Sequence, residues 1–265
     1  MLLSSVAVWS LSVDAISLVS VEQEIAIGKQ ADAQVREETP QLRDVETINY
    51  IRTIGRRLVR HASGAKYPYT FSVADDRTIN AFALPGGPVW VHRGVLDAAT
   101  TEAQLAGVMA HEVAHISRRH AAGQLTKATM TSWGLGLLGA VLGNDGGAAA
   151  ARIAAGYLAS GIFLKFGRDD EREADRVGLQ MMTRAGWEAR GMVELFEILR
   201  GEQARDPGRV EAFFSTHPSP RDRIARLQQE VAKSRRGRRD SAEFRRMKAR
   251  IAPSRRAAKP SPRRP

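Results

Sequence analysis

The sequence predicts an α+β fold, mainly α, with one small β-sheet set among helices. Two observations predict it. Capping residues followed by apolar positions three and four apart recur along most of the chain, whereas the interval Tyr69 to His92 breaks into short runs rich in aromatic and β-branched residues (YTFSVAD, NAFALPGG, PVWVH). The composition supplies a core: of 265 residues 43% are hydrophobic and 26% charged, which excludes whole-chain disorder and a small disulfide-stapled module.

The elements follow in order. Met1 to Val13 (MLLSSVAVWSLSV) is apolar like a signal-peptide core but lacks a preceding Lys or Arg; residues 1–16 are expected to be a signal peptide or leader, against a disordered N-terminal strand. Ser20 and Gln23 have the spacing of a capping box and predict a helix over Val21 to Val35. Asp44 caps a second helix, with Val45, Ile48, Ile51, Ile54 and Leu58 on one face. The sheet runs turn on Pro85-Gly86-Gly87-Pro88. Thr101 and Gln104 repeat the capping spacing and open a helix through Leu105, Val108 and Met109; a further helix starts near Arg168 and continues through Val177, Leu179 and Met182. Between these lie two apolar stretches, Trp133 to Gly143 and Ile153 to Leu164, each shorter than the roughly 20 residues that cross a bilayer. They predict a buried or surface-lying helical hairpin, the alternative being one that dips into a membrane or gates a cleft.

Charge divides the chain. The 40 Lys+Arg and 29 Asp+Glu give +11, but residues 231–265 hold 14 basic and 2 acidic residues, which leaves 26 against 27 for the remainder. The body is near neutral, and residues 231–265 are expected to be a basic, largely disordered tail, disordered from about Ile251 onward. With Phe244 as its one aromatic, the tail has little to stack on bases, so nucleic acid is not an expected partner; an anionic membrane surface suits the same charges. Cysteine is absent, so any metal must be held by His and carboxylate.

The chemistry is carried by His111-Glu112-Val113-Ala114-His115. Residues four apart share a helical face, so His111 and His115 can present two imidazoles to one ion with Glu112 beside them, the HExxH arrangement in which the Glu acts as general base on a zinc-held water. A catalytic zinc usually has three protein ligands. Arg168 to Asp175 offers carboxylates for the third: Glu171 as ligand, with Asp175 one turn later accepting from the free ring N–H of a ligating His, and Glu173 turned elsewhere. The same acidic run has a plainer explanation in the dipole of a helix start.

HEVAH at 111–115, followed 56 residues after its last His by EREAD at 171–175, resembles the M48 family of zinc metallopeptidases. Ser20–Gly28, Asn80–Gly87, Trp90–Leu96 and Ser215–Ile224 resemble segments of its soluble Oma1/BepA-like branch. The chain lacks the spanning helices of the Ste24 and HtpX types, and a short basic tail stands where BepA-like proteins carry a helical-repeat module. The resemblance implies a zincin-like domain over residues 17–230 with the sheet beside the HExxH helix. It implies one zinc per chain on His111, His115 and Glu171, and hydrolysis of peptide bonds in unfolded or misassembled polypeptides with Glu112 as base.

It also places His217, in Thr216-His217-Pro218, at the active site, either as a donor to the oxyanion or on the metal's fourth position, holding the enzyme latent; the alternative is a surface His fixed by the proline. Asn80, Ala81 and Phe82 would form a cleft wall that pairs with an extended substrate, or a plain core strand. Arg223 is expected to anchor the last helix through a carboxylate. His61, His92 and His120 are expected to be structural or exposed, with His120 on a polar helix face. An extracytoplasmic, periplasmic or membrane-associated setting follows. The competing class is a chaperone-like quality-control protein that binds misfolded envelope proteins and cleaves rarely; the intact HExxH argues against it.

Overall fold

The computed structural model describes residues 19–131, 165–217, 221–234 and 236–252. The expected leader, the two apolar stretches and the end of the tail lie outside them. Helix α1, Val21–Glu38, begins as its capping residues require: Ser20 Oγ accepts from Gln23 N at 3.2 Å and Gln23 Oε1 accepts from Ser20 N at 2.7 Å. It outruns Val35 and stops where Pro40 forces Thr39 into extended backbone. In α2, Val45–Val59, Asp44 Oδ2 accepts from Thr47 N at 3.0 Å, and Ile51, Ile54 and Leu58 are buried. Val45, expected on that face, is 65% exposed, because the stripe turns inward only after the first turn.

Three strands follow: β1 (Thr70–Ala74), β2 (Ala81–Ala83) and β3 (Pro88–His92), in the order β1-β3-β2. β3 lies parallel to β1, Thr70 opposite Pro88, and antiparallel to β2, Phe82 opposite Trp90. All five residues of β3 are buried, as expected of a strand covered on both faces. The β2–β3 turn takes left-handed backbone at Gly86 (φ 72°) and Gly87 (φ 134°), and a Cβ on Gly86 would stand 2.4 Å from Ile25 Cα, so the turn docks directly on α1.

The rest is helical: α3 (Arg93–Ala98), α4 (Glu102–Ser117), α5 (His120–Thr131), α6 (Arg168–Arg184), α7 (Arg190–Arg205), a 3₁₀ turn (Pro207–Arg209), α8 (Glu211–Thr216), α9 (Arg221–Val231) and α10 (Ala242–Ile251). Every residue of α4 is buried, with α6, α7, α2 and the sheet packed around it. Among the described residues no helix is long and apolar enough to cross a membrane.

The segment expected to be largely disordered holds a docked helix. Ser241 caps α10, whose Phe244, Met247 and Ile251 are buried at helical spacing against α2 and α3. The basic residues around them are paired: Arg250 with Asp44 and Glu46, Arg239 with Glu194 and Glu188, Arg245 with Asp240. Glu102, at the start of α4, gathers Tyr50 Oη (2.9 Å), Trp187 Nε1 (2.7 Å) and Arg238 (2.6 Å), which ties this segment to the central helix. Composition hid the apolar stripe beneath Arg and Lys.

Candidate active site

Thr101 starts α4, its Oγ1 accepting from Gln104 N at 3.4 Å. The expected box closes one residue early, because Gln104 Oε1 accepts from Thr100 N at 2.7 Å. One turn apart near the far end, His111 and His115 bring their Nε2 atoms within 3.0 Å. α6 faces them. Asp170 accepts from Gly167 N at its start, so that Glu171, in the first turn, lies with Oε1 3.4 Å from His115 Nε2 and Oε2 3.6 Å from His111 Nε2.

His217 caps the C-terminus of α8 and is buried at 1% exposure, not on the surface. Its Nδ1 lies 2.9 Å from Glu171 Oε1 and 3.4 Å from His111 Nε2, and its Nε2 lies 3.5 Å from Glu112 Oε1. One ligand atom each from His111, His115, Glu171 and His217 fall within 4.8 Å of one another. Three rings wall the group: Phe166 stacks on His115 at 3.8 Å, Phe213 lies 4.8 Å from His217, and Phe196 meets His111 edge-on at 5.9 Å.

Behind the group, Asp175 Oδ1 lies 3.1 Å from His111 Nδ1, and Arg223 donates Nε and Nη2 to Asp175 at 2.7 Å each while also pairing with Glu171. Arg223 thereby anchors α9 to α6. Glu173 turns away, to Arg118 at 2.8 Å and to His120.

His120 does not lie on the polar helix face expected of it. It is buried, its Nδ1 3.0 Å from His115 Nδ1 and its Nε2 3.2 Å from Glu173 Oε2. Arg119 takes left-handed backbone (φ 61°), so α5 leaves in a new direction and the phase of α4 does not carry across. No periodicity could place this residue. His92 is buried against Thr78, its Nδ1 2.9 Å from the hydroxyl, and His61 is half-buried.

The field favours a positive charge at the centre. Burial opposes a charge on Glu171, yet His217, His111 and His115 hold its carboxyl well below the usual range. Burial disfavours a proton on His111, but Asp175 and Glu171 outweigh it and raise the imidazole to about 9. His115, where burial dominates, is pushed well down. Glu112 is fully buried, and neither carboxylate oxygen has a hydrogen-bond partner among the described residues. Burial raises its pKa against the pull of His217 and His111. A buried carboxylate that lacks a hydrogen bond, beside imidazoles and Glu171, fits a site that receives a cation. The residues present fit a metal.

β2 is an edge strand packed beside α4. Asn80 O accepts from His92 N (2.9 Å) and Leu84 N donates to Pro88 O (2.8 Å), so by alternation the main-chain groups of Ala81 and Ala83 turn away from β3. Of the three residues expected at a substrate strand, Ala81 and Asn80 are both buried, Ala81 with its main-chain groups turned away from β3, and the Phe82 ring stacks over Trp90 at 6.3 Å. Ala83, Leu84, His115 and Phe166 border one recess.

Residues 46–231 match the model of peptidase family M48. The chain is 36% identical over 215 residues to a putative beta-barrel assembly-enhancing protease of Vibrio cholerae, covering 78% of this chain and 44% of that protein. It is 34% identical over 216 residues to the beta-barrel assembly-enhancing protease of Escherichia coli K12, with 79% and 44% covered. It is 32% identical over 183 residues to the mitochondrial metalloendopeptidase OMA1 of Schizosaccharomyces pombe, with 69% and 52% covered. The chain thus spans about half the length of these relatives. By the extent of the family match and the site it encloses, the chain belongs to peptidase family M48, a family of metallopeptidases.

Proposed function

We propose that this chain is a zinc-dependent endopeptidase acting on unfolded or misassembled polypeptides. The observation that carries the reading is the buried carboxylate of Glu112, which has no hydrogen-bond partner among the described residues, beside the converging donors of His111, His115 and Glu171. Two imidazoles and a carboxylate are a donor set that suits zinc, and these three would hold it. When bound, zinc supplies Lewis acidity at a peptide carbonyl and lowers the pKa of water to about 7. Glu112 takes one proton from the attacking water as its oxygen adds to the carbonyl carbon. The same carboxyl then delivers that proton to the amide nitrogen as the C–N bond breaks, leaving a free acid and an amine. Burial, by raising its proton affinity, suits Glu112 to this carrier role.

His217 holds the resting site closed in this reading, which is supported by its position against both Glu171 and Glu112. Substrate adds along β2 through the main chain of Ala81 and Ala83, a mode that asks for an extended peptide rather than a particular sequence. Similarity to proteases named for β-barrel assembly supports a misassembled envelope protein as substrate and an extracytoplasmic setting. The basic residues beyond 252 attract an anionic membrane surface. A binding-only, chaperone-like protein would have no use for Glu112.

The test is metal content and casein cleavage for wild type and Glu112→Gln. One zinc in both, with turnover lost by at least about 100-fold in the variant, is expected. A variant that cleaves normally removes Glu112 from the mechanism, and a wild type without zinc removes the site.

A further inference from the structure

We infer that His120, anchored by Glu173, is a positioning residue for His115: it fixes which ring nitrogen of His115 is offered to the metal and how that ring is turned. The inference rests on the metal reading above. Glu173 can only accept, so at 3.2 Å from His120 Nε2 it requires the proton of His120 on that nitrogen. His120 Nδ1 then carries a lone pair, aimed at His115 Nδ1 from 3.0 Å. The shared proton therefore belongs to His115 Nδ1. That leaves the lone pair of His115 on Nε2, the atom 3.0 Å from His111 Nε2 and 3.4 Å from Glu171.

At His111 the carboxylate of Asp175 stands directly behind Nδ1 at 3.1 Å, whereas at His115 an imidazole intervenes between the ligand ring and its carboxylate. The relay is itself held. Arg118 Nε donates to Glu173 at 2.8 Å, and Arg176 approaches the same carboxylate at 3.5 Å. The left-handed backbone at Arg119, tied by its guanidinium to Glu24 at 2.7 Å, turns the chain so that His120 folds back onto His115. A bulky residue rarely takes that conformation unless the surrounding structure imposes it. Groups that orient ligands typically change metal affinity 10- to 100-fold when removed.

The experiment measures zinc affinity of the full chain by competition with a chromophoric chelator, together with the melting point of each metal-free variant. His120→Phe keeps the ring and removes the acceptor; its zinc Kd is expected to rise 10- to 100-fold with the metal-free melting point held. His120→Asn, whose Oδ1 can occupy the place of Nδ1, is expected to recover affinity to within about threefold of wild type. In zinc-loaded wild type, nitrogen-15 spectra of the imidazoles are expected to show His120 protonated on Nε2 alone. If His120→Phe binds zinc as tightly as wild type, or if His120 carries its proton on Nδ1, the inference is overturned. A wild type that binds no zinc overturns the metal reading, and the inference with it.

Discussion

Gly178 of α6 meets the main chain of His111 so closely that a Cβ placed on it would stand 3.0 Å from the His111 nitrogen and 3.0 Å from Ala110 O. Glu171 lies two helical turns earlier on the same stripe of α6, so this backbone contact sets how far the carboxylate stands from the imidazole. Gly178→Ala should push the helices apart by a few tenths of an ångström. Although Ala favours helix by up to about 1 kcal/mol, main-chain atoms cannot rotate out of the way, and overpacking costs about 1–3 kcal/mol. Urea midpoints and zinc affinity should both fall; a variant as stable as wild type would show that the contact is slack.

Asp175 forms a bidentate pair with the buried Arg223 and lies beside His111. Truncation leaves a buried guanidinium with Glu171 alone. Asp175→Ala should cost about 3–5 kcal/mol in chemical denaturation, the range for breaking a buried pair from one side. A loss below about 1 kcal/mol would mean that water reaches Arg223.

His217→Ala should keep zinc, since His111, His115 and Glu171 remain, and should cleave casein several-fold faster if His217 blocks entry. Measuring initial rates decides the matter. A drop of about 100-fold would reassign His217 as a donor to the oxyanion.

Asp44 accepts from Arg250 at both oxygens (Nε at 3.1 Å) and from Thr47, and these bonds hold its carboxyl far below the usual aspartate range. A depressed folded-state pKa stabilises the fold above the unfolded value near 4, and that stabilisation fades as pH falls from there toward the folded value. Asp44→Ala should therefore be less stable by about 1 kcal/mol at pH 7, mostly through the lost cap because the ion pair is partly exposed, with the gap narrowing below about pH 4. Urea midpoints of both proteins at pH 7, 5 and 3 measure it. A constant gap would contradict the assignment.

On β2, the Ala83 N–H turns away from β3, and Pro is tolerated at such an edge position. Ala83→Pro should leave the fold intact by circular dichroism and raise KM for an extended peptide several-fold while kcat changes less. Equal KM values would place the substrate elsewhere.

Much of the fold was legible because its signals are local. The caps at Ser20, Asp44 and Thr101 act over three residues, and helical period alone sets His111 with His115 on one face and Glu171 with Asp175 on another. The aromatic and β-branched runs foretold three strands, though not that β1 would lie parallel to β3. The helix Ala242–Ile251 leaves little local signal because its buried stripe is narrow and its neighbours are Arg and Lys, whose partners lie far away in sequence at Asp44, Glu102 and Glu194.

By itself, then, the sequence determined which side chains could serve as ligands and base, since spacing along one helix needs no other part of the chain. Only the tertiary structure decided that α4 and α6 meet at Gly178, that Arg223 locks Asp175, and that His217 closes the group. It also decided that His120 stands behind His115 rather than in solvent. Those relations depend on where the backbone turns and which helices pack: His111 and His217 meet across 106 positions, and His120 reaches His115 only through the left-handed turn at Arg119, so no local period encodes either.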